Sequence, residues 1–248
     1  MEFMIDNASI EEIERALDVF PITGVTSNPS ILKAEGKTNL FPHMREIRKL
    51  IGSERSLHIQ VIAEDAEGII EEAETLRKRV DEEVYIKVPT TEQGLKAIRI
   101  LKSRGVNVTA TAIYLKIQGF MAIALEADFI APYYNRMENL DMNPDAVIAS
   151  FRKMIEENKV HTKILSASFK NMSQVMHSFE CGSHVATVQP TMLHDVFHTP
   201  EIQKAVDDFH ADWIKTQGDV SITALTSGRF TTVLPRRQKS GSDILSPK

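Results

Sequence analysis

From residue 1 to about residue 188, short β-branched runs alternate with longer stretches of helical period. The runs at 3–6, 22–25, 57–62, 84–88, 106–111, 129–131, 163–167 and 184–188 read as strands, because short apolar, β-branched segments between turn residues suit a pleated, buried ladder. The stretches at 10–17, 66–80, 91–103, 115–125, 144–157 and 172–180 read as amphipathic helices. In 91–103, Leu95, Ile98 and Leu101 share one face, and Lys96, Arg99 and Lys102 share the other, as a period of 3.6 requires. Gly105 follows where a C-terminal glycine stops a helix. Eight strand-then-helix units without a break in composition predict one closed parallel α/β barrel, the (β/α)8 or TIM barrel. An open doubly wound sheet is the competing architecture. It normally carries a glycine-rich phosphate loop after its first strand, whereas the first strand here ends in Asp6-Asn7-Ala8.

Two further helices are expected around 200–216, carrying Trp213. An apolar helix beyond a finished barrel needs a surface to pack on, and a neighbouring subunit is one such surface. The reading therefore assigns 1–218 to a barrel with extra C-terminal helices and 219–248 to a flexible basic tail.

Composition narrows the class more than the function. A chain of 248 residues fits one barrel domain of about 250 residues. No apolar run reaches the roughly 18 residues that span a bilayer, and the acidic N-terminal stretch lacks the character of a secretory signal. With one cysteine, Cys181, no intrachain disulfide forms. These features together predict a cytoplasmic protein without a membrane partner. The net charge of −5 argues against a nucleic-acid partner. Five basic residues at 226–248 (Arg229, Arg236, Arg237, Lys239, Lys248) face one acid, Asp243, which leaves −9 for the first 225 residues. Such a tail is expected to be a solvated appendage, with docking on an anionic partner as the alternative.

Candidate chemistry lies where strands end, since a parallel barrel gathers its functional groups at the C-terminal ends of its strands. Side chains there alternate between the barrel interior and the helices. Val84, Ile86 and Val88 share the helix-facing side, so Lys87 points inward. The same parity sends His58 and Gln60 inward in the third strand, and Asn107, Thr109 and Thr111 inward in the fifth. Asp6 opposes Phe3 and Ile5 in the first. The predicted inward, upper set is Asp6, Gln60, Lys87 and Thr111.

An amine among low-dielectric walls loses solvation of its ammonium, so its pKa falls towards neutrality. The neutral amine is the form that attacks a ketone. Asp6 is the candidate for proton exchange at that amine, and Gln60 with Thr111 for holding a shuttling water. A purely structural Lys87–Asp6 ion pair is the competing reading. After the second strand, Thr26 and Asn28 offer hydrogen bonds to a polyol, against the alternative of a turn that needs Asn and Pro for backbone reasons. Arg136 and Ser168, with Lys170 a weaker third, are the phosphate candidates after strands six and seven. The histidines show no metal-ligand spacing, so no metal and no cofactor is expected. Cys181 reads as packing.

Six segments in order carry a resemblance: GVTSNPS at 24–30, KVPTTEQGLKAI at 87–98, TAIY at 111–114, QGF at 118–120, APYYNR at 131–136 and ASFK at 167–170. Together they resemble the small transaldolase family over roughly residues 1–216. The resemblance implies a class I aldolase type of (β/α)8 barrel, assembled into a ring-like homo-oligomer (a decamer in the family's manner), with the C-terminal helix reaching a neighbour. By position it implies Lys87 as the Schiff-base lysine, Asp6 as the strand-one acid, Asn28 as the mouth asparagine, Thr111 as the strand-five threonine, and Arg136 with Ser168 at the phosphate. Thr109, one inward position lower, is the possible confusion for Thr111.

The transaldolases of this family carry glutamate where this chain has Gln60 and phenylalanine where it has Tyr133. Its aldolases carry glutamine and tyrosine, so the resemblance favours a sugar-phosphate aldolase cleaving fructose 6-phosphate, with Tyr133 as an acid-base group. Dihydroxyacetone transfer is the runner-up. An idle barrel recruiting a partner through its basic tail is the alternative of another class. Asn7, residues 107–110 and Lys116 depart from the family's pattern and bear on substrate range.

Overall fold

A computed structural model describes residues 1–36 and 39–225. The chain begins β1 (Glu2–Asp6), α1 (Ile10–Val19), β2 (Ile22–Thr26), α2 (Pro29–Ala34) and α3 (Leu40–Ile51). It continues β3 (Ser56–Gln60), α4 (Ala66–Arg79), β4 (Tyr85–Pro89), α5 (Glu92–Ser103), β5 (Val108–Ile113) and α6 (Lys116–Ala124). Then come β6 (Phe129–Pro132), α7 (Tyr134–Glu138), α8 (Pro144–Asn158), β7 (Lys163–Ser166), α9 (Met172–Glu180), β8 (Val185–Val188) and α10 (Pro190–Phe197). The eight strands are parallel and close in sequence order, β8 pairing with β1. This is the (β/α)8 barrel that the alternation predicts.

Side-chain parity separates two apolar regions. Ile5, Val25, Leu57, Ile59, Ile86, Val88 and Val108 face outward and pack with helix residues such as Ile13, Ile47, Ile69, Ile98 and Phe151, all essentially inaccessible. Each such aliphatic side chain contributes about 1.5–3 kcal/mol on burial. Inside the barrel a smaller cluster joins Met4, Phe129, Leu165 and Val185, with Tyr85 against it. Above that plug the interior turns polar, which is where the inward residues at the strand ends lie.

Several loops end in a side chain that caps the helix they lead into. Ser9, Asn28, Asp65, Thr91, Asn143 and Asn171 each accept from a backbone N–H of the first turn, satisfying donors that a helix start leaves open. Gly94 has no space for a side chain, since a Cβ there would lie 1.9 Å from the Pro89 carbonyl oxygen. That close approach seats α5 directly on the end of the strand that carries Lys87.

The structure differs from the sequence reading at several places. α2, α3, α7 and α10 add to the predicted helices; Pro42 is accommodated because it lies in the first turn of α3, where its missing N–H costs nothing. Asn107 precedes β5 and bonds the Glu83 carbonyl, so it is not one of the strand's inward residues. A register slip between Ala110 and Ile113 kinks β5, with Ala112 in the left-handed region at φ 54°.

The chain divides into two compact units, Met1–Phe197 and the residues from His198 on. In the second unit, 200–216 is one helix, not two: α11 (Pro200–Gln217), followed by the short α12 (Ile222–Leu225). Trp213 Nε1 donates to the Val220 carbonyl at 2.7 Å, folding the turn after Gly218 back along α11. Ile202, Val206 and Phe209 are exposed along this helix. The basic stretch at 226–248 lies outside the described residues. Among the described residues, no helix is long and apolar enough to cross a membrane.

Candidate active site

Lys87 stands at the upper end of β4, paired in register with Gln60 of β3 and Thr109 of β5. Only 4% of it is exposed. Its Nζ donates to the backbone carbonyl of Ser27, 2.9 Å away. Burial pushes the amine pKa below its usual 10.5, and the carboxylate of Asp6 only partly opposes this. The structural ion pair weighed against catalysis is not what is observed: Asp6 takes its short hydrogen bond from Thr26, at 2.7 Å.

Asp6 is half-buried at the end of β1. Burial raises its carboxyl pKa, while the Lys87 charge and the Thr26 hydroxyl act against that rise. The two groups thus lean the same way, the amine towards neutrality and the carboxyl towards protonation. That is the pattern of a pair that can exchange a proton during chemistry.

Thr26 is fully buried. Its Oγ1 lies 2.7 Å from both Asp6 Oδ1 and Thr187 Oγ1, so its hydroxyl is engaged by two side chains of the barrel interior. Asn28 caps α2, its Oδ1 accepting from the Ser30 and Ile31 N–H groups at 2.9 and 3.1 Å. The turn explanation is what the structure shows at Asn28, and the cap engages only the amide oxygen, leaving the NH2 group outside it.

The two threonines of β5 have separate partners. Thr111 Oγ1 donates to the phenol oxygen of Tyr133 at 3.2 Å. Thr109 pairs instead with Nδ1 of His58 at 2.8 Å, and the other ring nitrogen of His58 meets Ser56 Oγ at 2.9 Å. His58 is fully buried, stacked on Tyr85 at 4.6 Å. Burial, then the charge of Lys87, hold its pKa well below 6.5, so the ring is a neutral support under the site.

Tyr133 follows β6, its ring 5.6 Å from that of Tyr114. Burial raises the phenol pKa, while the Thr111 hydrogen bond and Arg136 counter that rise in part. A phenol that accepts from Thr111 has its own proton free to point into the mouth. The backbone holds it on both sides: Tyr133 N–H bonds the Ile113 carbonyl, and Tyr134 N–H bonds that of Ala167.

Gln60 is half-buried, and its Oε1 is enclosed without a hydrogen-bond donor among the described residues. An enclosed acceptor costs free energy when unpaired, so this oxygen is suited to take a hydrogen bond from a hydroxyl or a water. Two adjoining cavities of about 740 and 570 Å³ share Pro29, Gln60, Val61 and Ile62. Gln60, at the end of β3, lines both cavities, and Lys87 lines neither.

Of the phosphate candidates, Arg136 is exposed on α7, and Ser168 adopts the left-handed region at φ 62°. The Ser168 carbonyl accepts from Asn135 N–H at 3.2 Å, which ties the start of α7 to the end of β7 and brings these loops together. Lys170 is exposed, and its N–H is engaged by Gln174. Among the described residues no cluster of His, Cys, Asp and Glu is arranged to hold a metal ion.

The sequence reading missed two partners. Ser27 acts through its main chain, which no residue pattern marks. Thr187 had a signal, a polar residue at an inward position near the end of the last strand, just as Lys87 is in the fourth.

A family model described as transaldolase/fructose-6-phosphate aldolase matches residues 3–226. A probable fructose-6-phosphate aldolase of Streptococcus pneumoniae (strain ATCC 700669 / Spain 23F-1) is 46% identical over 222 residues, 90% of this chain and all of the relative. Among solved structures, dihydrodipicolinate synthase from Rhodopseudomonas palustris is similar with a TM-score of 0.55 at 14% identity, over 88% of this chain and 79% of its own. A flavocytochrome b2 variant with sulfite bound gives a TM-score of 0.56 at 10% identity, over 100% of this chain and 77% of its own. At such identities the likeness concerns the barrel alone.

Proposed function

Because the chain belongs to the transaldolase/fructose-6-phosphate aldolase family, we propose that it is a class I aldolase whose Lys87 forms a Schiff base with a ketose phosphate. Fructose 6-phosphate is the proposed substrate, cleaved reversibly to dihydroxyacetone and glyceraldehyde 3-phosphate. The single observation that carries the reading is the buried Lys87 amine, held by a neutral carbonyl and shifted towards its nucleophilic form.

The neutral amine adds to the C2 carbonyl, and water leaves as the protonated imine forms. Asp6, whose carboxyl is disposed to take up a proton, accepts one from the adding amine and returns it to the departing hydroxyl. Asp6, ionised again, takes the C4 hydroxyl proton through the water held by Gln60 and Thr111 as the C3–C4 bond breaks and the electron pair moves into the iminium as an enamine; the same water later returns that proton to the Tyr133 oxygen. Glyceraldehyde 3-phosphate departs. Tyr133, a phenol that stays protonated at neutral pH and is oriented by Thr111, protonates C3. Hydrolysis of the imine then frees dihydroxyacetone. In this scheme Gln60 with Thr111 holds the water or hydroxyl that relays protons, Thr26 steadies Asp6, Asn28 donates to a substrate hydroxyl, and Arg136 with Ser168 receives the phosphate. A ring-like homo-oligomer and a cytoplasmic location belong to the same proposal.

The test measures free dihydroxyacetone released from fructose 6-phosphate, against sedoheptulose 7-phosphate formed when erythrose 4-phosphate is added. Release with little transfer is expected. Predominant transfer would reassign the protein as a transaldolase, and neither activity would refute the reading.

A further inference from the structure

We infer that Thr187 of β8 is a positioning residue for the proposed reaction, the first member of a buried hydroxyl chain that ends on Asp6. Thr187 Oγ1 and Thr26 Oγ1 are 2.7 Å apart, and Thr26 Oγ1 is 2.7 Å from Asp6 Oδ1. Thr187 is 3% exposed and Thr26 not at all, so both bonds are shielded from solvent.

The direction of the chain follows from proton count. An ionised carboxylate only accepts, and a threonine hydroxyl has one proton to give. Thr26 therefore donates to Asp6 and has no proton left for Thr187, which makes Thr187 the donor in the first bond. A hydroxyl that accepts while it donates is polarised and becomes the stronger donor, by about 10–30% per bond. Thr187 thus favours the ionised form of Asp6 from the far side of the barrel seam, without touching the substrate. Burial raises the Asp6 pKa, and this chain works against that rise. The charged and titratable groups that face Asp6 are Lys87 from β4, which also favours ionisation, and Tyr133 after β6, which feels the Asp6 charge.

The inference rests on the Schiff-base reading for its place in the reaction, but its core is measurable without catalysis. In full-length protein with ¹³C-labelled aspartate, the Asp6 carboxyl is titrated by NMR in the wild type, Thr187→Val and Thr187→Ser, with Asp6→Asn identifying the signal. Thr187→Val removes the hydroxyl at nearly constant volume, and the Asp6 midpoint is expected to rise by a few tenths of a pH unit. Thr187→Ser restores the donor and is expected to titrate like the wild type. The acid limb of the kcat profile for cleavage should move with the midpoint, leaving KM little changed. An unchanged or lowered midpoint in Thr187→Val overturns the inference, and so does a Thr187→Ser variant that behaves like valine. Should Thr187→Val fail to fold, Thr187→Ala gives the same reading with the same expected direction. Borohydride trapping of the wild type separates the two claims. If dihydroxyacetone is not trapped on Lys87 while the midpoint still rises, the aldolase reading fails and the positioning of Asp6 stands.

Discussion

Lys87 Nζ lies 2.9 Å from the backbone carbonyl of Ser27, so a neutral dipole, not a carboxylate, anchors the buried amine. Had Asp6 met it in a close pair, Coulomb attraction would have kept the ammonium charged and the nucleophile masked. Instead Asp6 is tethered to Thr26. The amine stays a neighbour of an acid without being captured by it, and the proposed reaction uses the two as proton donor and acceptor.

Tyr133→Phe should separate imine formation from cleavage. The phenol accepts from Thr111 and is assigned to proton transfer at carbon, which positioned groups typically accelerate by about 10²–10⁴-fold. Release of dihydroxyacetone from fructose 6-phosphate is expected to fall by that order, while covalent trapping of added dihydroxyacetone persists. Equal loss of both would remove Tyr133 from this role.

Gln60→Glu places a carboxyl beside Lys87, its register partner, at the amide whose Oε1 has no donor among the described residues. A new carboxylate favours the ammonium and raises the Lys87 pKa, opposing the depression caused by burial. The limb of the cleavage profile that reports the neutral amine is therefore expected to shift to higher pH. The ratio of transfer to release should also rise. A pH–rate series read by both product assays checks this, and a limb that moves down would contradict it.

Asn28→Ala removes the cap of α2. The cost is expected to be about 1 kcal/mol, a drop of roughly 2–4 °C in thermal midpoint for a domain of this size. KM for fructose 6-phosphate should rise as the amide donor is lost. Asn28→Asp restores the cap but not the donor, so it should recover the melting temperature and leave KM high. Calorimetry with initial rates distinguishes the two roles.

Two imidazoles make the barrel acid-sensitive. His58 titrates well below 6.5 through burial and the Lys87 charge, and His184 is lowered to about 4 by burial and Arg152. The unfolded chain binds protons at these rings as pH falls through about 6.5, and the folded chain does not until about 4 at His184 or well below 6.5 at His58. Above 6.5 neither ring affects stability. From there down to about 4 the unfolded state gains protons and stability falls. Urea midpoints at pH 7 and pH 5 should show that fall. His58→Phe should lower the midpoint at pH 7, by removing the bonds of its ring to Ser56 and Thr109, yet flatten the dependence on pH. An undiminished slope would clear His58 of the effect.

The barrel was readable because alternation of strand and helix, and inward parity within strands, are both written in hydrophobicity. Lys87, Gln60 and His58 were each placed inward by that parity alone. Asn107 was misplaced because β5 starts only at Val108 and the Asn107 amide is taken by the Glu83 carbonyl, a backbone partner that side-chain pattern does not record. Thr26 was read as a mouth residue, since sequence tells that a hydroxyl is inward but not which neighbour claims it. Its partners, Asp6 and Thr187, lie 20 and 161 residues away along the chain. Ser27 was invisible for a different reason, as a backbone carbonyl belongs to every residue alike. The helices α2, α3, α7 and α10 lie in loops that look irregular because proline opens or enters several of them.

The central claim is most directly tested by borohydride reduction in the presence of dihydroxyacetone, followed by peptide mapping. A stable adduct on the peptide bearing Lys87 is expected in the wild type, and none in Lys87→Met. The variant should stay folded, because a buried amine without a close ion pair is replaced by an apolar side chain of similar length. An adduct on another lysine, or cleavage activity that survives in Lys87→Met, would contradict the account.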